Sequence, residues 1–380
     1  MYTILACVAS VFLVACEASI PRVPVQGELA GHHINTTVDS VIARYYLERY
    51  LRGENTDPKT HRQIDDFHAQ LQGGEIDRDT IAHIANSMST DLATLMLASH
   101  LSGLDSNVQM RAKFSDELDA ILRSQQQVSL NATQYRSYVI LFAPGWLYRS
   151  DPSTGADFRQ QREIFDRMGI QTVLIETEES GSVERNAAII ADEIMRRRDG
   201  EEKLILVSTS KSGAEAALAL GAHLTSAQTT HVRAWVNVGG VIQGTQLADG
   251  VMNWPQRWGL RLYFWWKGWN VAGLASMTTD VRRARYAHVR IPDDILVVNY
   301  MAVPLSGDVS GGVRSRYEAL RPYGPNDGLT LLVDEIIPGS VTVLELGLDH
   351  FFRDPAIEWK AVALFRTVVK LLASQQGSMH

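Results

Sequence analysis

From Tyr138 onward the chain alternates two hydrophobic patterns. Short, nearly continuous apolar runs at Tyr138 to Phe142, Thr172 to Ile175, Leu204 to Val207, Val232 to Val238, Ile295 to Tyr300 and Val341 to Leu346 predict strands buried on both faces. Between them, apolar positions three and four residues apart predict amphipathic helices at Asp157 to Met168, Val183 to Arg197, Gly213 to Leu224 and Ile357 to Leu372. Such alternation predicts an α/β domain over about 136–375. Its sheet is expected to be mostly parallel, flanked by helices, with functional groups in the loops after the strand C-termini.

The pattern upstream is different. Val38, Val41, Ile42, Tyr45, Tyr46 and Leu51 recur at helical spacing after an N-cap offered by Asn35-Thr36-Thr37. Further helical stretches follow at Arg78 to Ala98 and Ala112 to Leu122, giving an N-terminal helical region over 37–130. Its histidines, His61, His68, His83 and His100, lack the i, i+4 pairing with an acidic partner that a metal site uses. Residues 17–36, in which Ala18 to Ala30 carries two prolines and a glycine, read as a tether.

The apolar run Ile4 to Ala15 is a dozen residues long. A membrane-spanning helix needs about twenty, so the run predicts a signal peptide over 1–16. It ends in Leu13-Val14-Ala15-Cys16, which resembles the lipobox of bacterial lipoproteins, although no Lys or Arg precedes it. That resemblance implies a lipid anchor on Cys16 and residence in the bacterial cell envelope; Glu17 in place of Asp resembles lipoproteins sorted to the outer membrane of Gram-negative bacteria. A plain secretory signal cut nearby is the alternative, and it too puts the body outside the cytoplasm. The other cysteine is Cys7, so the body of the protein has no thiol for disulfides, metal binding or catalysis.

Composition narrows the function classes. With 45% hydrophobic and 21% charged residues the chain is globular in type. A net charge of -7 gives no electrostatic basis for nucleic-acid binding. The run Arg196, Arg197, Arg198 is followed by Asp199, Glu201 and Glu202, the composition of a solvated helix end.

The candidate chemistry lies in three loops. The strand ending at Val207 runs through Ser208-Thr209-Ser210-Lys211-Ser212-Gly213 into a helix, the context of a nucleophile elbow. Serines stand at the two positions where the usual Gly-x-Ser-x-Gly has glycine. The segment resembles the Ser-x-Gly-Gly continuation of many lipases and esterases, which makes Ser210 the nucleophile and Ser212 the competitor. A serine hydroxyl needs a base, and His350 is the one histidine placed just after a C-terminal strand. Asn326-Asp327-Gly328-Leu329 resembles the stretch carrying the acid in several bacterial lipases, implying Asp327 as third member, with Asp308 and Asp349 as alternatives. The order Ser210, Asp327, His350 is that of the α/β-hydrolase superfamily, and the chain from Tyr138 to Ser374 resembles its serine esterases and lipases. The resemblance implies an oxyanion hole from the backbone amides of Lys211 and Trp146, with Gly145 second to Trp146, in Phe142-Ala143-Pro144-Gly145-Trp146. The Lys211 side chain is expected in solvent.

More than fifty residues separate the strand ending at Val238 from that starting at Ile295, too many for a plain connection. This predicts a cap inserted at about 242–292. It carries Trp254, Trp258, Tyr263, Phe264, Trp265, Trp266 and Trp269. Such aromatics either pack the insertion on the core, dip into lipid, or line a pocket; in the last case Trp254, Trp258, Phe264, Trp265 and Trp266 would bind substrate. The function these features predict is hydrolysis of a small-molecule or lipid carboxylic ester, without metal or organic cofactor. Amide, thioester or polyester cleavage, or a non-catalytic lipid- or polymer-binding role on the same fold, are the alternatives.

Overall fold

The computed structural model describes residues 20–71, 76–123, 133–253 and 256–377. Trp254 and Cys16, with the rest of the segment expected to be a signal peptide, lie outside the described residues. The centre is a six-stranded sheet in the order β4-β3-β5-β6-β7-β8, every neighbouring pair parallel. The strands are β3 (Tyr138–Ala143), β4 (Gln171–Leu174), β5 (Lys203–Thr209), β6 (Val232–Val238), β7 (Leu296–Val303) and β8 (Val341–Leu346), within a few residues of the pattern-based expectation.

Why the runs are apolar throughout is visible in β3. Ile140 and Phe142 point into one core, with residues of helices Asp105–Arg123, Arg159–Arg167 and Ile357–Gly377. Val139, Leu141 and Ala143 point into the other, with Val183–Arg196 and Lys211–Leu218. A strand covered on both faces has no polar side to display.

The N-terminal part departs from expectation at its start. Instead of a tether, Val23–Leu29 (β1) and His32–Val38 (β2) form an antiparallel hairpin. Alternate side chains Val25 and Leu29 on one strand and Ile34 and Val38 on the other are buried. Pro24 and Gly27, which suggest a linker, sit in a two-stranded edge ribbon, where a missing amide is tolerated. Asn35, Thr36 and Thr37 therefore belong to β2, and the N-cap of the first helix, Val41–Glu48, is Ser40, whose hydroxyl accepts the Ala43 amide at 3.2 Å. The stretch predicted at Arg78 to Ala98 is two helices, Arg78–Ser87 and Thr90–Gly103. Together with the hairpin they build a third core that includes Met301, Val303 and Leu344 of β7 and β8.

A buried polar knot joins this region to the sheet. Asp91 accepts the amides of Asp39 at 2.6 Å and Ser306 at 2.9 Å, and the Ser306 hydroxyl at 2.6 Å. Asp39 in turn meets Arg321 at 2.8 Å. Burial, reinforced by the charge of Asp39, pushes the Asp91 carboxyl up to about 7.

Between β6 and β7 the insertion is helical: Gln246–Met252, Gln256–Lys267, Val271–Ala275 and Thr279–Tyr286. It is tied to the core by the Asn270 amide donating to Ser180 Oγ at 2.8 Å and the Val183 amide to Ser276 Oγ at 3.0 Å.

Candidate active site

Ser210 stands between β5 and the helix Lys211–Leu218, at φ 53° and ψ −125°. This conformation costs a non-glycine residue about 1–3 kcal/mol and persists only where the surroundings hold it. They do: the Ser210 amide donates to Val238 O at 3.2 Å, and its carbonyl accepts from Gly213 at 3.0 Å and Val241 at 2.9 Å.

The two flanking serines are used as serines. Ser208 Oγ accepts the indole N–H of Trp235 at 2.8 Å. Ser212 Oγ lies 2.7 Å from Ala143 O and 2.8 Å from Thr209 O, and accepts the Thr209 amide at 2.8 Å. The position that demands glycine is one further on: a Cβ at Gly213 would stand 2.6 Å from Asn237 Oδ1 and 2.7 Å from Gly240 Cα.

Asp327 and His350 meet. His350 Nδ1 is 2.5 Å from Asp327 Oδ2, and the His350 amide donates to Asp327 O at 3.0 Å. Asp327 is fully buried, and its Oδ1 accepts the amides of Leu329 and Thr330, each at 2.8 Å. The turn that looks like a plain Asn-Asp-Gly loop thus presents its carboxylate inward. Asp308 and Asp349 are engaged elsewhere, Asp308 by the Leu305 amide at 3.2 Å and Asp349 by those of Ser310 and Phe351 at 3.0 and 3.2 Å.

His350 lies on the Ser210 side of the sheet. Gly239 follows the residue whose carbonyl holds Ser210, and a Cβ at Gly239 would be 3.7 Å from His350 Cε1 and 2.9 Å from Phe352 Cε2. Its φ of +52° and this close approach both call for glycine. Among the described residues no hydrogen bond joins Ser210 Oγ to His350; such bonds commonly tighten only when substrate is present.

The loop after β3 runs beside the elbow because Ala143 and Ser208 are register partners. The Gly145 amide donates to Ala156 O at 3.0 Å, whereas the Trp146 amide has no acceptor among the described residues. Lys211 is the first residue of its helix, where the amide has no acceptor within the helix. Contrary to expectation, the Lys211 side chain is not in solvent. It is buried, pairs with buried Glu215, and its Nζ stands 5.7 Å over the Trp146 ring. Asn186 Nδ2 donates to Glu215 Oε1 at 2.8 Å. Sequence spacing i, i+4 held the only signal for this pair.

Of the cap aromatics, Phe264 is buried and meets the Trp146 ring edge-on at 6.4 Å. Trp258, Trp265 and Trp266 face outward with 60%, 77% and 67% exposure, joined by Leu262. The spacing 258, 262, 265, 266 puts all four on one side of the helix Gln256–Lys267.

A parallel sheet of this order with a strained serine after a central strand, an acid and histidine after the last two strands, and a helical aromatic-rich insertion is the α/β-hydrolase fold with a cap. Among solved structures the chain is similar to the metagenomic carboxyl esterase MGS0156, at 20% identity over 70% of this chain and 92% of that one, with a TM-score of 0.54. It is also similar to Bacillus licheniformis lipase BlEst2 in its propeptide form, at 18% identity over 65% of this chain and 52% of that one, with a TM-score of 0.51. No protein-family model matches the chain, and no curated protein matches its sequence.

Proposed function

We propose that the protein is a serine hydrolase of carboxylic esters, working through Ser210, His350 and Asp327. The observation that carries this reading is the 2.5 Å contact of His350 Nδ1 with buried Asp327 Oδ2, set beside the strained Ser210. Asp327 holds the imidazole with Nδ1 protonated, leaving Nε2 to take the Ser210 proton as Oγ attacks the ester carbonyl. The oxyanion that forms is received by the amides of Lys211 and Trp146. His350 returns the proton to the departing alkoxide, and an acyl-serine remains. Water, deprotonated by the same nitrogen, attacks the acyl carbon; the bond from that carbon to Ser210 Oγ breaks, His350 returns the proton to Oγ, and the acid is freed.

The outward tryptophans support a lipid ester presented at a surface over a freely dissolved one. Trp prefers the boundary between water and lipid, and residues 256–267 carry Arg257, Arg261 and Lys267 with no acidic residue. No helix among the described residues is long and apolar enough to cross a membrane. Attachment would then come from the exposed face and, with it, from lipidation of Cys16 in the bacterial envelope. The decisive experiment is fluorophosphonate labelling: a serine adduct in the wild type that is lost in Ser210→Ala supports the reading, and an adduct that survives that substitution, or none in the wild type, sinks it. Turnover of p-nitrophenyl esters of increasing chain length then separates lipid from short-chain substrates, and parallel amide and thioester probes separate the other acyl classes.

A further inference from the structure

Lys211 opens the helix Lys211–Leu218 directly after Ser210, and its side chain is buried together with that of Glu215, its ion-pair partner one helical turn on. Glu215 is fixed from a second helix. Asn186, buried in Val183–Arg196, donates from Nδ2 to Glu215 Oε1 at 2.8 Å and to Glu178 O at 2.9 Å, and its Oδ1 accepts the Glu178 amide at 3.0 Å. The ammonium held in this way stands 5.7 Å over the ring of Trp146.

Fixing a lysine side chain costs rotamer freedom, and taking its charge out of water costs more; a buried ion pair often stabilises a fold no better than apolar residues of the same volume. What the pair supplies is a defined place for a positive charge. That place is an aromatic face, which attracts a cation most where water is excluded. The backbone on either side of Trp146 is tied down separately: the Gly145 amide donates to Ala156 O at 3.0 Å and the Leu147 amide to Glu179 O at 3.3 Å. Between them the Trp146 amide has no acceptor among the described residues, so the grip on this residue is on its ring. Phe264 meets that ring edge-on at 6.4 Å, and the Lys211 ammonium lies over its face.

We infer that the Lys211 side chain, fixed by Glu215, is a positioning group for Trp146. One residue offers the oxyanion its own amide and uses its ammonium to hold the residue that offers the other. The side chain touches no reacting atom. The inference rests on the reading of Ser210 as nucleophile.

The test removes both charges at once, so that neither is left buried alone: Lys211→Met with Glu215→Gln, made in the wild type and in a Trp146→Leu background. A cation over an indole corresponds to a loss of kcat of roughly 3- to 30-fold in the first background with KM little changed, and to less than about twofold in the second, where the ring is already gone. No loss in the first background, or an equal loss in both, overturns the inference. Because the charge-free variant could fail to fold, a second reading uses the lysines themselves. In protein carrying ¹³C-labelled lysine, the Lys211 ε-methylene signal is expected upfield of the other lysines, as a group over an aromatic face is, and is expected to return among them in Trp146→Leu. A Lys211 signal that is not shifted, or is unmoved by Trp146→Leu, overturns the inference. Recorded also in Ser210→Ala, this signal reads the hold on Trp146 regardless of catalysis. Absence of a fluorophosphonate adduct in the wild type then marks failure of the hydrolase reading, whereas an adduct formed beside an unshifted lysine signal marks failure of this inference alone.

Discussion

Ser212 Oγ sits 2.7 Å from the carbonyl of Ala143, fastening the turn after Ser210 to the end of the strand that leads to Trp146. Two loops that meet at one carbonyl carbon in the proposed mechanism are thus joined by a side chain where the common motif has no side chain at all.

Ser212→Gly, which brings the elbow closer to the usual motif, is therefore expected to weaken the protein. It leaves the Thr209 amide and the Ala143 carbonyl without this partner, at a cost of about 1–3 kcal/mol. A lowered Tm together with a lowered kcat is the expected outcome, and a variant as stable as wild type would remove the role given to this hydroxyl.

Replacing the acids separates the three candidates. Asp327→Asn puts an amide where His350 needs an acceptor and is expected to reduce kcat on the order of 10³- to 10⁴-fold. Asp308→Asn and Asp349→Asn, whose carboxylates receive other amides, are expected to leave kcat within about tenfold on the same scale. Steady-state kinetics on a p-nitrophenyl ester measures all three.

The cap rests on the loop that carries Trp146 through Gly273. A Cβ there would lie 2.5 Å from Trp146 Cζ3 and 2.3 Å from Ser180 O. Gly273→Val is expected to displace Trp146 and lower kcat by roughly tenfold or more, in line with the 10²- to 10³-fold effect of losing a whole oxyanion donor. Wild-type kcat in a folded Gly273→Val variant would uncouple cap from site.

The exposed face can be tested without touching the site. Trp265→Ser with Trp266→Ser is expected to reduce binding to anionic phospholipid vesicles by roughly tenfold or more, since each large apolar side chain buried in lipid contributes about 1.5–3 kcal/mol. Turnover of a soluble short-chain ester should be unchanged. Vesicle co-sedimentation and the ester assay read the two effects separately.

The pH dependence of stability has a definite sign. Asp91, at about 7 in the folded protein against an ordinary value of 3.8, holds its proton more tightly when folded. Its contribution to stability is fully present below about pH 4 and is lost as pH rises through about 7. The carboxyls of Glu215, Asp308, Asp334 and Glu335 are shifted upward too, chiefly by burial, and act in the same direction. Asp91→Asn should flatten the fall in Tm between about pH 5 and pH 8; an unchanged slope would show that Asp91 does not titrate there.

The sheet and the order of its site residues were legible because each is encoded locally. Apolar runs mark strands such as Val232–Val238, and a turn of small residues marks Ser210. What escaped is what depends on distant partners. Lys211 looks like an ordinary surface charge until the fold buries it beside Trp146. The hairpin escaped for a different reason: Pro24 and Gly27, with Pro21 just before them, read as a linker, while the alternation of Val23, Val25 and Leu29 becomes decisive only once a helical core exists to receive it. The outward turn of Trp258, Trp265 and Trp266 needed the helix phase relative to buried Phe264.

That hairpin also sets a reach. Ile20 is already packed against Val309, Val313 and Tyr317. A lipid carried on Cys16 would have four residues of chain before the folded body, about 14 Å at full extension. In the proposed reading, a hydrolase anchored so closely would work flush against its own membrane, on substrates within the leaflet that holds it.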